Sequence, residues 1–254
     1  MTRLVKYLLC VSLCLAGIQG FGSQESPINQ LILWKIKEMP VGGSYSASRV
    51  ATIRLQSAAH FEQGKFFLLP NAASPSYCSG ATYLVFLKTI ETLRDTGRLN
   101  LDEQTLGRLM ISGQRDGEGI WGRWNANGPG TARLFYELQL GKNFTDFNMA
   151  QPGDFMKIFW TGEVGSTEHG HSVVFLGTET REGVEYVRFW SSNIPAGYGE
   201  KSVPRSKIAQ AIFSRLESPE NLVRVGQIPR FDPYLVGLES KRSSFAEARA
   251  KCGF

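Results

Sequence analysis

Ser76-Tyr77-Cys78-Ser79-Gly80-Ala81-Thr82-Tyr83-Leu84-Val85-Phe86-Leu87 is the stretch on which the fold turns. Pro70 to Ser76 is loop by composition, and apolar residues then run almost unbroken from Tyr83 to Leu87 and return at Ile90 and Leu93. The pattern predicts a helix from Ser79 to Arg94, buried on most of its circumference, with Cys78 at its opening. A thiol placed there feels the positive end of the helix dipole and unpaired backbone amides, which favour the thiolate. The same amides can hold a developing oxyanion. The competing reading of Cys78 is a small buried hydrophobe at a helix start.

A thiolate nucleophile needs a base, and the chain offers three histidines, His60, His169 and His171. His171 begins the β-rich run Ser172 to Gly177, where a fixed backbone can aim its ring. His169 shares that face in an extended chain but is loosened by Gly170, and His60 falls in a polar helical stretch before the nucleophile. Three histidines without a cysteine-rich cluster make no metal-ligand set, so neither metal nor cofactor is expected.

Around this pair the chain reads as α+β: a buried nucleophile helix packed on an antiparallel sheet. Phe155 to Trp160, Ser172 to Gly177 and Val184 to Trp190 are short apolar runs bounded by glycine, as in a meander. Residues 23–69 read as an N-terminal arm or subdomain with a helix through Ser46 to Phe61 and a strand from Gly64 to Leu69. Residues 70–204, which hold the Cys78 and His171 candidates, read as the catalytic domain. Residues 97–150 read as an insertion with helices near Asp102 to Met110 and Thr131 to Leu140 and a glycine-rich segment between them. That segment carries Trp121 and Trp124, which either stack on a ligand or anchor the loop by packing. Residues 205–254 read as a helix, Lys207 to Glu217, and a polar tail.

The first residues, a basic start followed by about a dozen apolar residues from Tyr7 to Ile18, have the grammar of a secretory signal peptide over 1–22. The run is short for a membrane anchor, and neither Cys10 nor Cys14 follows the small residue that lipid attachment wants. A secreted or periplasmic protein with no stable membrane span is therefore expected. Loss of Arg3 and Lys6 lowers the formal charge from +5 to +3, and the cations are scattered rather than clustered. That pattern gives no support for a nucleic-acid partner; the weak positive charge serves either ordinary solubility or attraction to an anionic polymer such as a cell wall. Cys78 and Cys252 remain. A disulfide between them suits an oxidising compartment, but Cys252 sits in what reads as a fraying polar tail.

Three strings resemble the NlpC/P60 family of papain-like cysteine peptidases and amidases. Tyr77-Cys78-Ser79-Gly80 is similar to its nucleophile motif, Gln151-Pro152-Gly153-Asp154-Phe155 to the turn leading into its first core strand, and Gly170-His171-Ser172-Val173-Val174-Phe175-Leu176-Gly177 to its histidine strand. They occur in the family's order and cover about residues 70–193. Two departures stand out: Cys78 and His171 lie unusually far apart, and Tyr77 occupies a position where many members carry Asp. The resemblance implies a third polar residue on the strand after the histidine strand. Ser191 and Asn193 share one face there, and Asn193 is favoured because an amide oxygen accepts an imidazole N–H. It also implies Cys78, His171 and Asn193 as catalytic residues with Tyr77 and Ser79 beside the substrate, while Trp121 and Trp124 are candidates for the substrate from their own glycine-rich setting. The implied activity is thiol-dependent hydrolysis of amide bonds, commonly in the peptide stems of peptidoglycan. The alternatives are a thioester acyltransferase or amidase acting elsewhere, and an inactive wall-binding domain.

Overall fold

The computed structural model describes residues 26–254. The leader expected at 1–22 lies outside them. Among the described residues no helix is long and apolar enough to cross a membrane.

The described residues open with α1 (Pro27–Lys37), where proline at the first turn gives up an N–H that has no helical partner anyway. α2 (Arg49–Ala58) is capped by Ser48, whose side chain accepts the Ala51 N–H, and it stops earlier than expected because Ala59 turns extended. The residues that follow pair as a hairpin, β1 (Ala59–Glu62) with β2 (Lys65–Leu68), in which His60 stacks on Phe67 at 4.8 Å. The helix that Cys78 opens is α3 (Cys78–Asp95), and its Leu84, Val85, Phe86, Leu87 and Ile90 are fully buried. Then come α4 (Glu103–Arg108), α5 (Gly119–Asn125), α6 (Gly130–Leu138) and strands β3 (Gly141–Phe144), β4 (Phe155–Phe159) and β5 (Val164–Gly165). A meander of β6 (Gly170–Arg181), β7 (Val184–Asn193) and β8 (Gly197–Pro204) follows, and β9 (Gln210–Leu216) closes the sheet. α7 (Pro233–Gly237), β10 (Arg242–Ser243) and α8 (Phe245–Lys251) complete the chain.

Six strands form one antiparallel sheet in the order β3-β9-β4-β6-β7-β8. One face carries Phe155, Val174, Trp190 and Leu216 into the core shared with α1 and α3; the other carries Ile158, Val173, Phe175, Phe189 and Phe213 into a second cluster. The molecule is thus a mixed α+β fold with antiparallel sheets.

Two expectations need correction. The helix read over Lys207 to Glu217 is β9, in the middle of the sheet between β3 and β4. Ile208, Ala211, Ile212 and Leu216 recur at helical spacing, but Ala211 through Leu216 are buried on both faces, a burial that erases the alternation by which a strand is recognised. Residues 97–150, read as an insertion, pack inward: α5 and α6 join the α3 core and β3 joins the main sheet. The C-terminus is not a fraying tail, since Cys252 is buried with Ala132, Phe159 and Ile212, and both Cys252 and Cys78 are free thiols.

A polar knot ties the layers together. Asp154 is fully buried and accepts two hydrogen bonds from the Arg215 guanidinium at 2.7 Å, one from Asn29 Nδ2 at 2.8 Å and one from the Gln151 N–H at 2.8 Å. Its carboxylate thereby links β9, α1 and the turn before β4. The turn needs glycine at 153: φ is +94° and a Cβ would sit 2.6 Å from the Asn29 carbonyl oxygen.

Candidate active site

The site forms where two adjacent strands part. β6 and β7 pair from Val174 and Trp190 out to their hairpin, whereas β6 stays on β4 back to Gly170 and β7 stays on β8 as far as Asn193. His171 and Ser172 therefore face Ser191 and Asn193 across an unpaired gap. The first turn of α3 delivers Cys78 to that gap.

Cys78 is half-buried, and no side chain caps the helix it opens, so the first amides of α3 are free of intrahelical partners. Its sulfur is hydrogen-bonded to the His171 ring and accepts the Ser172 N–H. Burial pushes the thiol up, but the His171 hydrogen bond and charge, the Ser172 amide and the Lys157 ammonium outweigh it and lower the pKa to about 6. His171 Nε2 lies 3.1 Å from Asn193 Oδ1, which leaves Nδ1 as the nitrogen for the thiol. The Asn193 amide is itself fixed: its Nδ2 donates to the Gly199 carbonyl at 2.8 Å and to the Ser191 carbonyl at 3.2 Å, which turns Oδ1 toward the ring. Ser191 Oγ donates instead to the Ser172 carbonyl at 2.7 Å and bridges the gap without touching the imidazole. Of the two residues on that face, Asn193 is the one beside His171. Trp160 covers the ring, 6.2 Å away and within 28° of parallel, and Phe189 meets it edge-on.

A chamber of about 500 Å³ opens at Cys78, lined by Tyr77, Ser79, Asp116, Asn125, Asn127, Lys157, Glu168 and His169 among others. A smaller recess of about 210 Å³ is lined by His171, Phe189, Asn193 and Lys201. Tyr45, Trp160, Gly170 and Ile194 line both. A third cavity, about 510 Å³ between α4 and residues 225–230, is remote from the thiol and is partly closed by the Arg230–Glu118 ion pair.

Of the residues expected at the substrate, Tyr77 and Ser79 line the chamber. Trp121 and Trp124 do not. They are 2% and 1% exposed, Trp124 donates to Thr82 Oγ1 at 3.2 Å, and both pack on Tyr83. Their size and apolar surface put them in the core, and the anchoring reading is the one the geometry meets. His169 is exposed on the chamber wall, and His60 is remote in its hairpin.

Four residues at the site escaped the sequence reading. Tyr45, on the loop between α1 and α2, is pinned through its N–H to the Pro195 carbonyl at 3.1 Å, and its hydroxyl is hydrogen-bonded to Cys78. Burial first, and the neighbouring thiol second, push that hydroxyl well above its ordinary pKa, so it stays a donor wherever Cys78 is a thiolate. Lys157 on β4 pairs with Glu168 at 2.7 Å. The other Glu168 oxygen accepts the Gly128 and Gly165 N–H groups. Gly170 makes room for the pair, because a Cβ there would lie 2.7 Å from the lysine nitrogen. Asp116 accepts Asn125 Nδ2 at 3.0 Å and the Asn127 N–H at 3.2 Å, and Asn125 Oδ1 in turn accepts Ser79 Oγ at 2.6 Å. No periodicity marks any of the four; they meet only through the fold.

No protein family, curated protein or solved structure matches the chain.

Proposed function

We propose that the protein is a secreted or periplasmic cysteine hydrolase of NlpC/P60-like, papain-like type that cleaves amide bonds in peptidoglycan stem peptides. The observation that carries this reading is the line Cys78–His171–Asn193: a thiol lowered to about 6 and hydrogen-bonded to an imidazole, whose far nitrogen is 3.1 Å from a fixed amide oxygen, all at the mouth of a chamber. A buried cysteine kept only for packing would have no use for that alignment, and the thiol of Cys252 makes the contrast. Burial drives it up to about 12 with no base beside it.

The chemistry follows from the positions. The Cys78 thiolate attacks the amide carbonyl carbon, and the C–O π electrons move onto oxygen. The uncapped amides at the start of α3 and the Tyr45 hydroxyl, both beside Cys78, are the donors that take up that charge in this reading. As the tetrahedral carbon collapses, the C–N bond breaks and the His171 imidazolium passes its proton to the departing amine. The result is a thioester on Cys78. Water then attacks the thioester, His171 takes its proton, and collapse expels the Cys78 thiolate and releases the carboxylic acid. Asn193 and Trp160 keep the imidazole in plane for both transfers.

The test is incubation of the purified protein with defined stem peptides, followed by mass spectrometry of the products. Cleavage at one amide bond by the wild type, lost in Cys78→Ser at an unchanged melting temperature, is the expected result. An intact thiol that alkylates rapidly but turns over no stem peptide would move the reading to the acyltransferase or amidase class.

A further inference from the structure

The cavity between α4 and residues 225–230 takes no part in the chemistry at Cys78, and none of its lining residues lines the chamber at the thiol. At about 510 Å³ it falls within the roughly 300–1,000 Å³ of small-molecule sites. Its bed is apolar, made by Ile120 and Val225, which are buried, with Ile228 and Pro229. Its charged residues are Arg108, Arg230 and Glu118. An apolar bed with a few charged groups holds an amphipathic molecule and orients it by its polar end.

The two arginines have donors to spare. Arg108 ends α4 and makes no hydrogen bond or ion pair among the described residues; Asp102 feels its charge but gives its carboxylate to the Thr105 N–H at 2.7 Å. The guanidinium lies against Gly226, where a Cβ would stand 3.9 Å from its Cζ. Arg230 is half-engaged: Nε and Nη2 both meet Glu118 Oε1, at 2.8 and 2.7 Å, which leaves Nη1 open. It is also held in place, since its carbonyl accepts the Gly119 N–H at 2.9 Å and its guanidinium stacks on Phe231 at 5.0 Å. A fixed arginine with an unused donor edge and a second arginine with no acceptor, in one cavity, are what a planar anion completes.

Charge decides which anion. Two arginines against one glutamate leave one unit of positive charge, which a carboxylate neutralises. A phosphate monoester, close to doubly charged at neutral pH, would overshoot and face Glu118 with the excess.

We propose that this cavity is a second ligand site for a small amphipathic carboxylate of the kind that ends a short apolar peptide. Arg108 grips the carboxylate, Nη1 of Arg230 is a second donor, and Ile120, Val225 and Ile228 receive the aliphatic side chain. The site stands whether or not Cys78 is the nucleophile.

The probes are N-acetylalanyl-leucine in its L,L and D,D forms, the C-terminal amide of each, and hexyl phosphate. They are titrated into the full chain carrying Cys78→Ser, which removes turnover, and followed by backbone-amide NMR shifts. At least one free acid should move the amides of Gly107, Gly119, Ile120 and Val225 saturably. It should bind about tenfold or more tighter than its own amide, the discrimination expected of a hydrogen bond to a charged group. Adding Arg108→Gln should abolish that advantage; Arg108 is exposed and unbonded, and the same spectra show that the variant is folded. No saturable shift with either acid, equal affinity for acid and amide, or an advantage that survives in Arg108→Gln overturns the proposal. So do shifts confined to Ser79 and Asn127, which report the Cys78 chamber instead, and tighter binding of hexyl phosphate than of either acid.

Discussion

Two buried polar clusters sit a few residues apart on the same sheet, and they are built on opposite terms. At the Asp154 knot every partner is internal: one carboxylate, one guanidinium, an amide and a backbone N–H close on one another at 2.7 to 2.8 Å. At the parted end of β6 and β7 the groups line up but are left open. A thiol faces solvent beside its imidazole, the first amides of α3 have no acceptor, and Asp116 has no cation. Closure is what a fold does with polarity it uses for support; an aligned but unfinished set is what chemistry needs. Glu168 stands between the two, paired like a structural acid yet lining the chamber.

The contrast is broken most directly at Cys78, the proposed nucleophile. Cys78→Ala should lower turnover by about a thousandfold or more, because the covalent route disappears. The melting temperature should stay within a few degrees, since a half-buried thiol contributes little packing. A large drop in melting temperature would mean that the open set is also a structural one. The opposite pattern is expected at the knot. Arg215→Met leaves Asp154 charged, buried and unpaired, at a cost of about 3–5 kcal/mol, while turnover per folded molecule should hold. Trp124→Ala, which empties part of the α3 core, should cost a similar 3–5 kcal/mol without raising the Michaelis constant. Calorimetry run beside kinetics separates the two outcomes.

The next effect is smaller and sharpens the assignment within the open set. Asn193→Ala should reduce turnover by about 10–100-fold, a part of the 10²–10⁴ that acid–base catalysis supplies, with Ser191→Ala falling less. Ser191 spends its hydroxyl on the Ser172 carbonyl, so its loss loosens the gap without releasing the imidazole. Full activity in Asn193→Ala would remove the residue from the mechanism.

How much of this was legible beforehand follows from which residues act locally. α3 announces itself by an unbroken apolar run, and β4, β6 and β7 by short β-rich runs between glycines. Two-residue alternation was enough to narrow the partner of His171 to Ser191 and Asn193. What alternation could not do was choose, because the choice depends on the Ser172 carbonyl across the gap. β9 was misread because a strand buried on both faces has lost its period. The tryptophans were suspected of binding ligand because glycine-rich context reads as loop, whereas Gly122 is glycine so that α5 can pass the Arg115 carbonyl oxygen, 2.0 Å from where a Cβ would stand. Tyr45, Asp116, Lys157 and Glu168 come from four separate elements, and only the fold brings them to one chamber.

Lys157 offers the finest test of whether the chamber's charges act on the thiol or merely on one another. Iodoacetamide alkylation reads the thiolate directly, so its rate should rise with pH through a midpoint near 6, where an ordinary thiol titrates near 8.5. Below that midpoint Cys78 takes up its proton and the reaction fades; above it the thiolate is fully formed and the rate levels off. His171→Ala removes the hydrogen bond and the charge that stand first among the lowering influences and should move the midpoint strongly upward. Lys157 acts through space and stands last among them, so its removal should move the midpoint upward by less. Removing the lysine alone would strand Glu168, whose side chain is 2% exposed. The informative protein is therefore the double variant Lys157→Met with Glu168→Gln, which deletes both charges and keeps the volume. A midpoint unmoved in that variant would show that the pair's fields cancel at the sulfur and that Lys157 serves only to hold Glu168. An upward shift smaller than that of His171→Ala places the ammonium among the groups that make the thiol reactive, and sets the chamber's open polarity apart from the closed knot at Asp154.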